Sequence, residues 1–236
     1  MIATAPLRLY LGCGDMYLAG YVNIDAYPSP GAVRGPDRIL RVEELDYSES
    51  SVDAIYTAHV VEHLSRVELF KALPRWHGVL RPGGLLTIEV PDAEAIMRRL
   101  LAQGREEQKD LYYYLLFGTQ TGDGEFHKGG WTFARLARTL AAAGFVDFID
   151  GRAQPRRIQN RVALRMYRPR RWRAVLLECR KPEHGPGPDP DALRQTLFFA
   201  YGMQDLPLAR LRRRVIMSLP FGERIAAWWR ARARRP

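Results

Sequence analysis

Leu9-Tyr10-Leu11-Gly12-Cys13-Gly14-Asp15 is the stretch that decides the fold, because it joins a short aliphatic run to two closely spaced glycines. The run is typical of a buried strand, and the glycines permit the sharp turn that follows such a strand beneath a ligand. Eleven residues after Gly14, Asp25 ends a second aliphatic run. A carboxylate there can accept hydrogen bonds from the two hydroxyls of a ribose, so the two features together indicate a nucleoside site.

Short aliphatic runs alternate with helical patterns through the N-terminal two-thirds of the chain, as in βα units around a mostly parallel sheet. Ser65 and Glu68 have the spacing of a capping box, and Thr132 and Gly144 are placed to begin and end a helix. The predicted strands are Leu7–Leu11, Tyr21–Asp25, Arg38–Val42, Asp53–Ala58, Leu85–Val90, Phe145–Asp150 and Arg173–Cys179. The predicted helices are Ser65–Leu80, Ala93–Gln103, Glu106–Phe117 and Thr132–Ala143.

Length and composition exclude several classes of protein. The 236 residues are 47% hydrophobic, which suffices for one main core and argues against disorder. No apolar run reaches the ~18 residues of a spanning helix, and Met1–Tyr10 does not resemble a signal peptide, so we expect a cytoplasmic protein. Cys13 and Cys179 are the only cysteines, which excludes a disulfide framework and a four-cysteine zinc site.

Charge is divided unevenly along the chain, whose formal net charge is +10. Residues 1–150 contain 15 Lys and Arg against 20 Asp and Glu, whereas residues 151–236 contain 21 against 6. This pattern fits either a surface for an anionic partner or a genomic base composition that favours Arg over Lys. We predict a main domain at 1–181, a linker rich in Pro and Gly at 182–191 and a basic helical appendage at 192–236. Its predicted helices are Leu193–Met203, Leu206–Leu219 and Gly222–Arg235.

From about Leu7 to Pro182 the chain resembles the class I S-adenosylmethionine-dependent methyltransferases. The segments that carry the resemblance are Leu11-Gly12-Cys13-Gly14, Val22-Asn23-Ile24-Asp25, Ser51-Val52-Asp53-Ala54-Ile55-Tyr56, His59-Val60-Val61-Glu62-His63-Leu64, Val79-Leu80-Arg81-Pro82-Gly83-Gly84, Val90-Pro91-Asp92 and Ala143-Gly144-Phe145. The amino-acid sequence around Asp25 is similar to that of a subgroup associated with polysaccharide or glycolipid biosynthesis. The resemblance implies an α/β, doubly wound, Rossmann-like sheet of seven strands. Its antiparallel last strand would be Arg173–Cys179, beside Phe145–Asp150.

The resemblance also implies S-adenosyl-L-methionine as the cofactor. It assigns the methionine portion of the cofactor to Leu11, Gly12, Cys13 and Gly14, and the ribose to Asp25 with Ala26 beside it. It assigns the adenine to Glu43, Glu44 and Leu45. The methyl sulfonium is assigned to His59 and Val60. The chain departs from the family pattern at three places. Tyr10 replaces the usual first acid, Met16 replaces a third glycine, and Arg41-Val42 replaces Asp-Leu, so a carboxylate contact to adenine must come from Glu43 or Glu44.

A polar, glycine-rich segment between Phe117 and Trp131 is predicted to be a lid or binding loop. His127 lies in it, which makes His127 the first candidate for the catalytic base that a hydroxyl acceptor needs. The alternative is that His127 caps the helix near Thr132. The other candidate bases are His59, His63, Asp92 and Glu125, of which His63 is expected to be structural.

Tyr112-Tyr113-Tyr114 is either a wall for the acceptor or part of the core. The spacing His59-Val-Val-Glu62-His63 is not the zinc motif His-Glu-x-x-His, so no metal is predicted.

The sequence therefore predicts methyl transfer to an oxygen of a glycan or glycolipid precursor. The alternatives are an RNA methyltransferase and a non-catalytic protein of the same fold that serves a partner enzyme. Residues 206–236 mix arginines with Trp228 and Trp229, which favours an anionic membrane surface at the inner face of the cytoplasmic membrane. The same tail could instead pack on its own domain, pack on a second subunit of a homo-oligomer, or bind nucleic acid.

Overall fold

The structure is a computed structural model that describes residues 5–27, 31–122, 124–167 and 172–198. The chain divides into two compact units, residues 1–193 and 194–236, and the sheet and the candidate site belong to the first. The predicted appendage helices after Phe198, with the predicted membrane segment 206–236, lie outside the described residues. Within the described ranges, every helix is too short or too polar to cross a membrane.

Seven strands form one sheet, and they are β1 (Arg8–Leu11), β2 (Val22–Asp25), β3 (Arg38–Ile39), β4 (Val52–Ala58), β5 (Leu80–Pro91), β6 (Val146–Asp150) and β7 (Ala174–Arg180). Their order across the sheet is β3-β2-β1-β4-β5-β7-β6. β1 to β5 run parallel to one another. β7 runs antiparallel to both β5 and β6. This arrangement confirms the predicted Rossmann-like sheet with an antiparallel last strand.

The helices are α1 (Arg66–Val79), α2 (Ala93–Leu101), α3 (Asp110–Phe117), α4 (Phe133–Ala142), α5 (Arg161–Tyr167) and α6 (Pro190–Phe198). The predicted capping box is confirmed, because the Ser65 side chain accepts from the Glu68 backbone while the Glu68 side chain accepts from the Ser65 backbone. Thr132 caps α4 by accepting from the backbone N–H of Arg135. The sequence did not predict α5, and α6 begins inside the predicted linker.

Three predicted elements of the main domain differ from the structure by three residues or more at one end. Only Arg38–Ile39 of the predicted strand Arg38–Val42 pairs, since its single neighbour β2 ends at Asp25, and a 3₁₀ turn follows at Val42–Glu44. β5 begins at Leu80 rather than Leu85, because Leu80 already pairs with Val52 on β4. The predicted helix Glu106–Phe117 is a 3₁₀ turn at Glu106–Gln108 followed by α3.

Aromatic residues of neighbouring strands anchor α5 on the sheet. Tyr10 and Tyr56 lie opposite each other on β1 and β4, and their rings stack with centroids 5.1 Å apart. They belong to one buried cluster with Leu164 and Tyr167 of α5. Burial of this cluster fixes β1 beside β4, where the order of the strands reverses. Cofactors bind at such a switch point, at the carboxyl ends of the strands.

Candidate active site

A tight glycine turn follows β1 at the switch point. The backbone N–H groups of Gly12 and Cys13 both donate to the carbonyl of Ile24 on β2, at 2.8 and 3.2 Å. Gly12 has a φ of +68°, and a Cβ on it would lie 2.1 Å from Cγ2 of Val60. Glycine is therefore required here both by the left-handed backbone and by the close approach of Val60.

Asp25 ends β2 directly beside this turn. Its Oδ2 accepts from the backbone N–H of Gly14 at 2.7 Å, and its Oδ1 accepts from that of Tyr27 at 2.8 Å. These two hydrogen bonds fix the orientation of the carboxylate, which is partly exposed. Each oxygen keeps further acceptor capacity, so the carboxylate can still receive two hydroxyls.

Asn23 and Asp37 hold the chain around Asp25, and neither was predicted from the sequence. The buried Asn23 amide donates to the carbonyls of Leu18 and Tyr21 and to Oδ2 of Asp37. Hydrogen bonds from Asn23 lower the pKa of the Asp37 carboxyl, which also accepts from the backbone N–H of Asn23 at 2.8 Å. The connection between the glycine turn and β2 is thus held by a hydrogen-bond network around the buried side chain of Asn23.

The residues predicted to flank adenine lie in the turn after β3. Glu44 is exposed, whereas Leu45 is buried. The Glu43 carboxylate accepts from Nε of Arg41 at 2.6 Å, and Nη2 of Arg41 reaches Glu68 at 2.9 Å. Arg41 is one of the positions at which the chain departs from the family pattern. It forms an ion pair with Glu43, one of the two acids predicted to contact the adenine. The adenine assignment stays a prediction.

His59 follows β4 and lies between two buried carboxylates. Its Nδ1 is 3.1 Å from Oε1 of Glu62, and its Nε2 is 3.4 Å from Oε1 of Glu89. Burial by itself lowers the pKa of His59, but the hydrogen bonds to Glu62 and Glu89 outweigh it and raise the pKa to about 9. At neutral pH the ring is therefore protonated with both nitrogens engaged. His59 is a wall of the site and not a base.

A cavity of about 240 Å³ opens at the carboxyl ends of β4 and β5. His59 connects it to the glycine turn, because its neighbour Val60 packs on Gly12. The cavity contains imidazole, carboxylate, hydroxyl and aromatic groups, and its lining includes His59, His63, Tyr114, Thr119, Glu125 and His127.

The loop between α3 and α4 is tied to the 3₁₀ turn Val61–His63 by its backbone. The N–H groups of Lys128 and Gly129 both donate to the carbonyl of Glu62, at 2.7 and 3.1 Å. At its start, Gly118 has a φ of +79°, and a Cβ there would lie 1.9 Å from the carbonyl oxygen of Glu125. These contacts place the loop over the carboxyl end of β4, and its role as a lid or binding loop stays a prediction.

His127 consequently lies against His63, with ring centroids 4.6 Å apart and the rings nearly perpendicular. Burial lowers the pKa of His127, so the imidazole is neutral at pH 7. The alternative role, a cap for α4, is wrong, because Thr132 caps that helix.

The remaining carboxylates among the candidate bases, Asp92 and Glu125, differ in how many of their oxygens are hydrogen-bonded. Both carboxylate oxygens of Asp92 are engaged, Oδ1 by the backbone N–H of Ala95 at 3.1 Å and Oδ2 by Arg152 at 3.0 Å. Glu125 accepts from the Thr119 hydroxyl at 2.7 Å and is exposed. Glu62 was not among the predicted site residues, yet its side chain is 1% exposed at the centre of these contacts.

Residues 9–88 match the family model described as a methyltransferase domain. This part of the chain is similar to methyltransferase domains. The finding confirms the resemblance at the level of the domain, and the glycan-associated subgroup stays a prediction. None of the curated proteins compared with the chain matches it.

Solved methyltransferases are similar to the chain at low sequence identity. An S-adenosylmethionine-dependent methyltransferase from Archaeoglobus fulgidus is 14% identical over 75% of this chain and 86% of its own, with a TM-score of 0.49. The 1,6-didemethyltoxoflavin N1-methyltransferase of Burkholderia thailandensis, crystallised with S-adenosylhomocysteine, is 20% identical over 75% and 72%, with a TM-score of 0.46. The phosphoethanolamine N-methyltransferase 2 of Haemonchus contortus, crystallised with S-adenosyl-L-methionine, is 12% identical, with a TM-score of 0.45. The match covers 77% of this chain and half of that one.

The cofactor of class I methyltransferase domains is S-adenosyl-L-methionine, and the described residues fit it. The glycine turn and the oriented carboxylate of Asp25 lie together at the switch point. A Cβ on Gly14 would meet no atom within 4 Å, so space for a ligand lies next to that backbone. The glycine turn that packs on Val60 and the cavity lined by His59, the residue before Val60, are therefore adjacent.

Proposed function

We propose that the protein transfers a methyl group from S-adenosyl-L-methionine to a hydroxyl of a glycan or glycolipid precursor. The main support is the adjacency of two sites. Val60 packs on the glycine turn, and the preceding residue, His59, lines the cavity that contains His127. An acceptor oxygen in the cavity would therefore face the carboxyl ends of β1 and β4, where the cofactor is proposed to lie.

Each part of the cofactor has a proposed set of contacts. Asp25 accepts the ribose hydroxyls, and Ala26 lies next to it in the chain. The methyl sulfonium lies against His59 and Val60. The backbone of residues 11–14 supports the methionine portion, and the turn 43–45 flanks the adenine.

The reaction is an in-line displacement, for which the protein aligns the acceptor oxygen and excludes water. Such alignment contributes about 7 to 11 kcal/mol to lowering the barrier. When bound, S-adenosyl-L-methionine supplies an electrophilic methyl group. His127, neutral because burial lowers its pKa, accepts the proton of the hydroxyl as the new bond from oxygen to carbon forms.

The surface beside the cavity supports an acceptor with an apolar part. α3 buries only Leu115, while Tyr113, Tyr114 and Phe117 are each 44% exposed or more. Aromatic faces of this kind pack against sugar rings and lipid chains, and a cluster of them on a surface marks a binding site. Arg173 adds a cation to the cavity wall, which suits the phosphate of a lipid-linked sugar.

A peripheral location at the inner face of the cytoplasmic membrane is part of the same proposal, and it rests on the sequence of residues 206–236 alone. We expect the full chain to sediment with vesicles that contain anionic lipid and not with neutral vesicles. The expected binding disappears when residues 206–236 are removed. Sedimentation that does not depend on these residues would contradict this part of the proposal.

The acceptor proposal is tested with methyl-labelled S-adenosyl-L-methionine and separate pools of glycans, lipid-linked sugars and RNA. We expect label in a glycan or lipid-linked sugar, as a methyl ether that survives alkaline treatment. Label in RNA would overturn the proposal in favour of an RNA methyltransferase. Absence of label in every pool, together with absence of cofactor binding, would favour the non-catalytic alternative.

A further inference from the structure

Three side chains with metal-binding chemistry meet beneath the loop that precedes α4. A carboxylate oxygen of Glu62 and one ring nitrogen each of His63 and His127 all lie within 4.8 Å of one another. Ligand atoms at about 2.0 to 2.2 Å from a common tetrahedral ion are separated by about 3.3 to 3.6 Å. Small rotations of the partly exposed histidines would bring the three atoms to that separation.

Backbone carbonyls lie beside both imidazoles, and one of them is hydrogen-bonded in the manner of a metal ligand. Nδ1 of His63 is 3.2 Å from the carbonyl oxygen of Phe126, so it carries the proton and leaves the lone pair on Nε2. The carbonyl of Leu115 lies near the ring of His127. A histidine that binds a metal commonly donates its other ring N–H to a carbonyl or a carboxylate.

Glu62 gives a second, independent indication of a cation. Its side chain is 1% exposed, and Oε1 is engaged by His59. Among the described residues, Oε2 has no hydrogen-bond partner. A buried carboxylate oxygen without a partner is costly, and a bound cation removes that cost.

From these contacts we propose that Glu62, His63 and His127 bind one divalent transition-metal ion, which holds the acceptor hydroxyl in the cavity. Two imidazoles and one carboxylate suit zinc, manganese, iron, cobalt or nickel rather than magnesium or calcium, which prefer oxygen ligands. Three protein ligands leave at least one coordination position open, as in catalytic metal sites.

The metal site deepens the proposed function and rests on it for its role in methyl transfer. The metal-bound hydroxyl loses its proton to the exposed carboxylate of Glu125 on the same cavity wall, which passes it to water. The alkoxide oxygen then bonds to the methyl carbon. The bond from carbon to sulfur breaks with its electron pair on sulfur, which gives S-adenosylhomocysteine. With a metal bound, Glu125 therefore replaces His127 as the proton acceptor, because the His127 lone pair binds the metal.

The test uses the untagged full chain, treated with a chelator and dialysed, and titrated with Co²⁺ and separately with Zn²⁺. We expect one equivalent of Co²⁺ to give visible absorption bands and calorimetry to give one Zn²⁺ site. His127→Ala and Glu62→Gln should each weaken binding at least ~10-fold while thermal unfolding remains cooperative. His184→Ala removes an exposed histidine outside the cavity and should bind both metals as the wild type does.

Absence of binding by the wild type, or unchanged binding by both ligand variants, would overturn the metal site. Activity and cofactor binding separate that failure from failure of the proposed function. Full methyl transfer by metal-free protein would overturn the role of the metal in holding the acceptor hydroxyl and leave His127 as the base. Wild-type metal binding without methyl transfer to any acceptor would leave the metal site in place and overturn the proposed function.

Discussion

Val60 lies between two parts of the candidate site, which are built in different ways. The cofactor side contains the glycine turn and Asp25, and the acceptor side contains the cavity with His63 and His127. On the cofactor side, backbone groups make most of the contacts: the glycine turn donates to Ile24, and Asp25 is fixed by two backbone N–H groups. On the acceptor side, side chains make them, and they come from distant parts of the chain. His63 and His127 meet because the backbone of the loop docks on Glu62.

This difference has a consequence for substitutions. A backbone cradle is damaged by adding atoms to a glycine, whereas a side-chain cluster is damaged by removing atoms from a histidine or an acid. The two sides share few residues, so a substitution on one side should leave the function of the other nearly intact. Substitutions on each side and in the shared scaffold can break or sharpen that separation.

Replacing His127 with Ala should lower turnover by about 10²- to 10⁴-fold, the usual contribution of a group that acts on the transferred proton. Cofactor affinity should stay within about threefold of the wild type, because His127 lies on the acceptor side. Steady-state turnover and cofactor calorimetry on the same preparation measure both. A parallel loss of turnover and cofactor affinity would break the proposed separation.

Gly12→Ala and Gly118→Ala form a matched pair, one on each side. Each adds a Cβ at a left-handed φ and into close contact, so each should cost about 2 to 5 kcal/mol of strain and displacement. We expect Gly12→Ala to abolish cofactor binding and Gly118→Ala to reduce turnover with cofactor binding retained. The added Val60→Ala substitution should partly rescue Gly12→Ala, since Val60 is the group that the new Cβ meets. The same defect in both single variants would contradict the comparison.

His77 on α1 tests the scaffold that both sides share. Burial, and then the charge of Lys181, lower the pKa of His77 below its ordinary value of 6.5. At a pH between the pKa of His77 in the folded chain and its pKa in the unfolded chain, the unfolded chain binds more protons. The contribution of His77 to the free energy of unfolding is therefore fully present above pH 6.5 and is lost as the pH falls below that value. The slope reaches at most about 1.4 kcal/mol per pH unit.

Urea unfolding at pH 7.5 and pH 5.5 measures this contribution. In His77→Phe the fall in stability between the two pH values should be smaller than in the wild type. An identical fall would mean that His77 does not titrate in this range.

Ser65→Ala should have the smallest effect, about 1 kcal/mol of stability, through loss of the capping box of α1. Cofactor affinity and turnover per folded molecule should remain unchanged, because neither side loses a contact. Thermal unfolding with parallel activity measurements tests this. A selective loss of turnover would show that the start of α1 positions the acceptor side directly.

The cofactor side is also the side that the sequence could predict. Gly12, Gly14 and Asp25 lie between the end of β1 and the end of β2, and their arrangement follows from the backbone of a strand, a tight turn and the next strand. The capping box at Ser65 is local in the same way. Because the residues of each feature lie close together in the sequence, their spacing along the chain is enough to predict it.

The acceptor side depends on contacts that spacing does not contain. His63 and His127 are brought together by the carbonyl of Glu62 and by the close approach at Gly118, which only the folded loop shows. Spacing along the chain argued against a metal, and the three side chains of the proposed metal site come from two segments that only the fold brings together. α5 was missed because its packing on Tyr10 and Tyr56, rather than a long periodic pattern, stabilises it.

The central claim is that the cofactor and the acceptor bind to separable sides of one site. Calorimetry with S-adenosylhomocysteine on the wild type, Asp25→Ala and His127→Ala tests it most directly, with circular dichroism to verify folding. We expect binding by the wild type and by His127→Ala, and loss of binding by folded Asp25→Ala. Absence of wild-type binding, or equal losses in the two variants, would contradict the claim.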